Sequence, residues 1–124
     1  MEIKLKKYHD IYIMVLEGEL DLYNAPELEK VFQTLVNQGI RVFILDFEKV
    51  SYIDSSGVGI LLKLNGIANG RDFDFILSAV DGEVLNVLKL TNLIQFFPME
   101  PDYTNAVKKL LKESPPKSGV SIND

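Results

Sequence analysis

The segment Asp54-Ser55-Ser56-Gly57-Val58-Gly59 contains the residues of this chain that are best suited to chemistry. Aspartate and serine favour helix starts, because their side-chain oxygens accept the N–H groups that the first turn leaves without partners. A helix start also favours anions, so a phosphate on Ser55 would be tolerated there. That phosphate would add about −1.5 to −2 charges and would repel an acidic or apolar partner. The segment therefore predicts a capped helix start, with Ser55 as the candidate switch residue.

Two glycines in this segment are unusual for a first helical turn. Gly57 and Gly59 should each cost about 1 kcal/mol of helix stability relative to alanine. They leave the backbone bare, and we expect this to let a partner or a phosphate donor approach closely. The helix, which we expect to end at Gly70, is apolar over more than one stripe. Its excess apolar surface is either covered by neighbouring helices or left for a partner.

A first helix is predicted to begin at Asn24. Glu27 follows three residues later, as in a capping box, and Pro26 lies in the first turn, where its missing N–H costs nothing. Gly39 is expected to end the helix in a left-handed conformation. The apolar face recurs at helical spacing and consists of Leu28, Val31, Phe32, Leu35 and Val36.

The rest of the chain alternates between strand and helix patterns. Residues 2–7 and 11–17 predict a hairpin with His9 in its polar turn. Short apolar runs predict three more strands, at residues 41–47, 73–77 and 94–97. Two more helices are predicted at residues 81–90 and 101–112, the last with an inward face of Tyr103, Ala106, Val107, Leu110 and Leu111. The order predicts an α/β fold, a mixed and mostly parallel sheet of about five strands with four helices.

Composition narrows the classes of function. The 124 residues fit one domain, predicted at residues 1–112 and followed by a disordered tail at 113–124. A net charge of −5 without a basic patch argues against nucleic-acid binding. The absence of cysteine excludes disulfides and thiolate zinc sites, and the single histidine excludes a histidine-rich metal site. We expect a cytoplasmic monomer with no cofactor, no signal peptide and no membrane contact, because no apolar run is long enough to span a bilayer.

The chain resembles the anti-sigma factor antagonists, which have the STAS fold. The resemblance rests on Gly18-Glu19-Leu20-Asp21 after the second strand, on the apolar strand ending in Leu45-Asp46, and on the segment from Tyr52 to Gly59. It implies that the unphosphorylated protein binds an anti-sigma factor that is also a serine kinase, and so frees a sigma factor. The kinase then phosphorylates Ser55 and the complex dissociates, and a serine phosphatase resets the switch.

The same resemblance implies a contact surface for the kinase. The loop holding Gly18 to Asp21 would lie near Ser55, with Asp21 and Asp54 as its acidic neighbours. The expected contact residues are Glu19, Asp21, Asp54, Ser56, Gly57, Val58 and Gly59.

Other interpretations fit the sequence less well. Ser56 is interpreted as a structural hydroxyl, Glu19 and Asp21 as solvated rather than a metal pair, and Tyr8, Tyr12 and Tyr23 as packing residues. A serine hydrolase would require a glycine two positions before the serine, and no nucleotide-binding glycine motif is present, so we expect no enzyme activity. A regulatory scaffold or ligand-binding domain with the same fold is the remaining alternative.

Overall fold

The computed structural model describes residues 1–113, which form a five-stranded sheet and four helices. The strands are β1 (Glu2–Tyr8), β2 (Ile11–Leu20), β3 (Val42–Ile53), β4 (Asp74–Ser78) and β5 (Met99–Glu100), and the helices are α1 (Ala25–Asn37), α2 (Ser55–Gly70), α3 (Gly82–Leu90) and α4 (Tyr103–Glu113). The strand order is β1-β2-β3-β4-β5, and only β1 runs antiparallel to its neighbour. The predicted fold class is confirmed. The predicted tail, apart from Glu113, lies outside the described residues.

The first two strands form the predicted hairpin. Tyr8 pairs with Ile11, and His9 in the turn has a φ of 57°. Histidine is one of the few residues other than glycine that adopts this left-handed conformation with some frequency. His9 lies in the turn, as predicted, and is exposed.

The two faces of the sheet carry separate apolar cores. Alternation along β2 directs Met14 and Leu16 to one face and Ile13 and Val15 to the other. The first face packs against α1, α2 and α3, and the second packs against α4. The inward face predicted for α4 is confirmed, because Ala106 and Leu110 are buried and Tyr103, Val107 and Leu111 pack beside them. Three helices therefore cover one face of the sheet, and α4 covers the other.

The third strand is longer than the predicted 41–47, because it continues to Ile53. Its pairing with β4 ends at Asp46–Ser78, whereas its pairing with β2 continues to Leu20–Ile53. Beyond Asp46 the strand alternates less regularly and exposes several polar side chains. The apolar run thus marked only the part of β3 that is buried between two neighbours.

The predicted strand at residues 94–97 is wrong. Ile94–Phe96 forms one turn of 3-10 helix, and the last strand lies further on, at Met99–Glu100. A short apolar run does not separate a strand from another buried segment. Of residues 94–97, only Phe97 is fully buried, and the backbone hydrogen bonds of the turn join residues three positions apart.

Helix ends follow the predictions only in part. Gly39 has a φ of 92°, and Ile40 donates its N–H to the Leu35 carbonyl, so the predicted glycine cap of α1 is confirmed as a Schellman motif. For α2 the predicted end at Gly70 is confirmed, because Gly70 is the last helical residue, but Gly70 is not in the left-handed conformation. Asp72, with a φ of 60°, is the left-handed residue that ends this helix.

Candidate functional site

Asp54 connects the end of β3, the start of α2 and the loop that follows β2. Its Oδ1 accepts the N–H of Gly57 at 2.9 Å, which makes it the N-cap of α2. Its Oδ2 accepts the N–H of Leu22 at 3.1 Å. Its own N–H donates to the Leu20 carbonyl at 3.2 Å. The role of Asp54 as a helix cap is confirmed, and the same side chain also holds the loop between β2 and α1.

The loop between β2 and α1 is held by two side chains that cap each other. Oδ1 of Asp21 accepts the N–H groups of Tyr23 and Asn24 at 2.9 and 3.2 Å. Oδ1 of Asn24 accepts the N–H of Asp21 at 2.8 Å, and Nδ2 of Asn24 donates to the Glu19 carbonyl. Asn24 is the N-cap residue by position, but its side chain does not cap α1. The predicted capping box is therefore absent, because that side chain closes the preceding loop instead.

Parallel pairing of β2 and β3 places two segments of the sequence side by side. Glu19 pairs with Tyr52 and Leu20 with Ile53, so Asp21 emerges at the edge of the sheet where Ser55 begins α2. The segment expected to be a loop, Gly18 to Asp21, is mostly strand, because β2 continues to Leu20 through a bulge at Gly18. Gly18 has a φ of 109°, a conformation that glycine adopts without strain.

The two serines differ in exposure. Ser55 is exposed at the first position of α2, whereas Ser56 is half-buried and faces α1. Within residues 1–113, the N–H groups of Ser55 and Ser56 donate to no acceptor, because in the first turn of α2 the Asp54 side chain accepts only the N–H of Gly57. Two free N–H groups and the positive end of the helix dipole thus accompany an accessible hydroxyl.

The two glycines of the segment have different roles. A Cβ on Gly57 would lie 2.5 Å from the Leu20 carbonyl oxygen and 2.6 Å from Cγ1 of Ile53. Gly57 therefore allows α2 to pack against the end of β2, and the interpretation that its bare backbone serves a partner is wrong. Gly59 is exposed and has no atom within 4 Å of such a Cβ, so its backbone is open to contact.

A shallow groove of about 290 Å³ lies between α1 and α2, next to Ser56. Ala25, Gly59 and Ile60 contribute to its lining. At its far end the Lys63 ammonium pairs with the Glu29 carboxylate. The apolar excess of α2 is covered here, since Val58 and Ile60 are each only 7% exposed. The first of the two alternatives for that surface is thus confirmed.

The exposed apolar surface of the site comes from the loop instead. Leu22 is 62% exposed and Tyr23 is 90% exposed, so the interpretation of Tyr23 as a packing residue is wrong. The sequence did contain a signal for both residues. They are large and apolar, yet they fall outside both the alternation of β2 and the periodic stripe of α1. Their backbone N–H groups are bound by Asp54 and Asp21, so the pair is presented on a fixed loop.

Three further observations bear on the chemistry of the site. Among the described residues, no group of three or more His, Asp or Glu side chains is arranged to hold a metal ion. His9 precedes the Ile11–Val42 end of the β2–β3 pair, whereas Ser55 follows the Leu20–Ile53 end, so the one histidine lies at the opposite edge of the sheet. None of the helices in residues 1–113 combines the length and apolarity that a membrane span requires.

Comparisons with known proteins point to one family. The STAS domain family model matches residues 2–106. An anti-sigma-B factor antagonist from Staphylococcus aureus is 29% identical over 93 residues, which cover 75% of this chain and 86% of that protein. A candidate anti-sigma factor antagonist from Thermotoga maritima has a TM-score of 0.81 and 26% identity, covering 86% of this chain and 92% of that one.

A more distant neighbour shares the fold. The anti-sigma factor antagonist SpoIIAA of Bacillus, in its unphosphorylated form, has a TM-score of 0.69 and 24% identity over 88% of this chain and 97% of its own. Its phosphorylated form gives the same TM-score at 22% identity, over 88% of this chain and 99% of its own. The family model covers most of the described residues, and the sheet order and helices agree with it. This chain therefore belongs to the STAS domain family.

Proposed function

We propose that this protein is an anti-sigma factor antagonist controlled by phosphorylation of Ser55. The unphosphorylated form binds an anti-sigma factor with serine kinase activity in the cytoplasm, and a serine phosphatase restores it after phosphorylation. The observation that carries the proposal is the exposed Ser55 hydroxyl at the first turn of α2, next to a fixed loop with two exposed apolar side chains. The names of the relatives from Staphylococcus aureus and Thermotoga maritima support it.

The exposure of the two serines favours Ser55 over Ser56 as the phosphorylated residue. A kinase must reach the hydroxyl with the γ-phosphate of ATP, and Ser55 is open to solvent. Ser56 contributes to the groove between α1 and α2, where an added phosphate would meet the neighbouring helix. Ser56 is thus better suited to contact the partner than to receive the phosphate.

The proposed partner surface combines apolar and acidic residues. It consists of Glu19, Asp21, Leu22, Tyr23, Asp54, Ser56 and Gly59. It leaves out Gly57 and Val58, which the sequence suggested, because both are buried. Leu22 and Tyr23 supply apolar area at low entropic cost, since their backbone positions are already held by hydrogen bonds.

Charge explains how phosphorylation would end binding. The carboxylates of Glu19, Asp21 and Asp54 already make this edge of the molecule negative. A phosphate on Ser55 is stabilised locally by the helix start, so the domain stays folded. At the contact itself it adds about −1.5 to −2 charges that must be desolvated against the partner. The switch therefore acts on association rather than on folding.

In this proposal Ser55 is a substrate and not a catalytic nucleophile. A serine nucleophile requires a nearby base, and the single histidine of the chain lies at the opposite edge of the sheet. Asp54 is occupied by two backbone N–H groups. The base for phosphorylation would come from the kinase.

Binding calorimetry tests the proposal. The partner is first captured from the source cell with Ser55→Ala as bait, because this variant is expected to stay bound in the presence of ATP. Ser55→Ala should then bind the purified partner as the wild type does, and Ser55→Asp should bind at least about tenfold more weakly.

Thr34→Asp is the control for charge alone, since Thr34 is exposed near the far end of α1. This variant should bind like the wild type. Equal affinity of Ser55→Asp and the wild type would contradict the proposal, as would capture of no ATP-dependent kinase.

A further inference from the structure

A second apolar groove lies on the other face of the sheet, between α4 and the hairpin. It has a volume of about 330 Å³, and its lining residues are Tyr8, Ile13, Tyr103, Thr104, Val107, Lys108 and Leu111. We refer to it as the α4 groove. Alternation along β1 directs Lys6 and Tyr8 to the same face as Ile13. The α4 groove is therefore separated from Ser55 by the sheet.

The α4 groove is open along its length. Of its lining residues, only Ile13 is fully buried, and the others are half-buried or exposed. Enclosed pockets, which cover most of a ligand, suit small molecules, whereas an open apolar trough suits the apolar face of a peptide or helix. The shape favours a segment of a protein as the occupant.

Lysines border the α4 groove on both sides. Lys108 contributes to its wall, and Lys6 donates to the Tyr103 hydroxyl at 2.8 Å with its ammonium 4.9 Å from the centre of that ring. On the next turn of α4, Lys112 lies with Lys108 in an adjoining depression that also contains Glu100, and Lys109 pairs with Glu100 at 3.6 Å. Among the side chains of residues 1–112, neither Lys108 nor Lys112 forms an ion pair.

The two lysines of the α4 groove differ in charge from the acidic residues around Ser55. The chain carries a net charge of −5, and the edge around Ser55 is acidic. An acidic partner would be repelled from that edge and attracted to the lysines of α4. The apolar floor and the basic border together define the chemistry of the occupant.

We propose that the α4 groove binds an acidic amphipathic helix of a second protein. Apolar side chains of that helix lie against Ile13, Val107 and Leu111, and its carboxylates face Lys6 and Lys108. Because α4 and α2 lie on opposite faces of the sheet, binding in the α4 groove is independent of phosphorylation at Ser55. The protein then has two docking surfaces, and only one of them is switched.

The test is an NMR titration of the full chain with two short synthetic helical peptides. Both have leucines along one face; the other positions are glutamate in one peptide and lysine in the other. The glutamate peptide should shift the amide signals of Tyr8, Thr104 and Val107, and its affinity should fall as salt is raised. The lysine peptide should give no such shifts.

Matched charge reversals complete the test. Lys108→Glu should weaken binding of the glutamate peptide at least about tenfold. Lys89→Glu, on the exposed side of α3, should leave binding unchanged, and so should Ser55→Asp. No shifts at the α4 groove, equal binding of both peptides, or unchanged affinity of Lys108→Glu would each overturn the proposal.

Discussion

Leu22 donates its backbone N–H to the carboxylate of Asp54 at 3.1 Å, so the loop after β2 and the start of α2 share one side chain. The other oxygen of this carboxylate caps α2 through Gly57. The residue before Ser55 therefore determines where the exposed Leu22 lies. The phosphorylation site and the apolar contact surface of the proposed switch are joined by two hydrogen bonds to a single residue.

Asp54→Asn separates the two functions of this carboxylate. Its Oδ1 can still accept the N–H of Gly57, but the amide nitrogen cannot accept that of Leu22. We expect a loss of about 0.5–1.5 kcal/mol in the free energy of unfolding. Amide hydrogen exchange should become faster at Leu22 and remain slow at Gly57. Unchanged exchange at Leu22 would show that this bond does not hold the loop.

Gly57→Ala should destabilise the protein although alanine is the better helix former. The new Cβ would overlap the Leu20 carbonyl and the Ile53 side chain, and overpacking of this kind costs about 1–3 kcal/mol. Gly59→Ala is the control, because nothing lies near its Cβ. That variant should gain up to about 1 kcal/mol in the urea-unfolding free energy. Equal effects of the two substitutions would argue against the close packing of Gly57.

Tyr23→Ala should weaken partner binding without loss of stability. Its side chain is 90% exposed, so the free energy of unfolding should change by no more than about 0.5 kcal/mol. Binding of the captured kinase should fall at least about tenfold if Tyr23 is an anchor of the contact. Leu90→Ala is a suitable control, because Leu90 is 83% exposed on α3, away from the loop. A similar loss in both variants would point to a general effect of apolar surface.

Asp46→Asn tests how a buried carboxyl, on the face of the sheet opposite to α2, affects stability. Burial raises the pKa of Asp46 above its ordinary value, and the hydroxyl of Ser78, which donates to it at 2.8 Å, offsets part of this rise. The folded state therefore binds the proton of the Asp46 carboxyl more tightly than the unfolded state does. As a result, the contribution of Asp46 to stability falls as pH rises from the unfolded-state pKa through the folded-state pKa.

The stability difference between Asp46→Asn and the wild type should therefore depend on pH. The asparagine can still accept the Ser78 hydroxyl, and the variant should be more stable than the wild type at neutral pH. In acid the difference should vanish, because Asp46 is then protonated in both states. Urea unfolding at several pH values between acid and neutral measures this stability difference. A difference that does not vary with pH would contradict a raised pKa of Asp46 in the folded state.

Local patterns predicted the alternation of elements and the cap at Asp54, because those depend on neighbours in sequence. They did not predict that Asn24 closes a loop or that Asp72 ends α2, since other polar residues and glycines were available nearby. The role of Gly57 depends on the Leu20 carbonyl, which is distant in sequence and adjacent only through strand pairing. The exposure of Tyr23 likewise depends on what the fold leaves uncovered. Composition does not contain this information.

Phosphate mapping by mass spectrometry, after incubation with the captured kinase and ATP, tests the central claim most directly. The wild type and Ser56→Ala should each carry one phosphate, on Ser55, and Ser55→Ala should carry none. A phosphate on Ser56 or on any other residue, or no phosphate at all, would contradict the account.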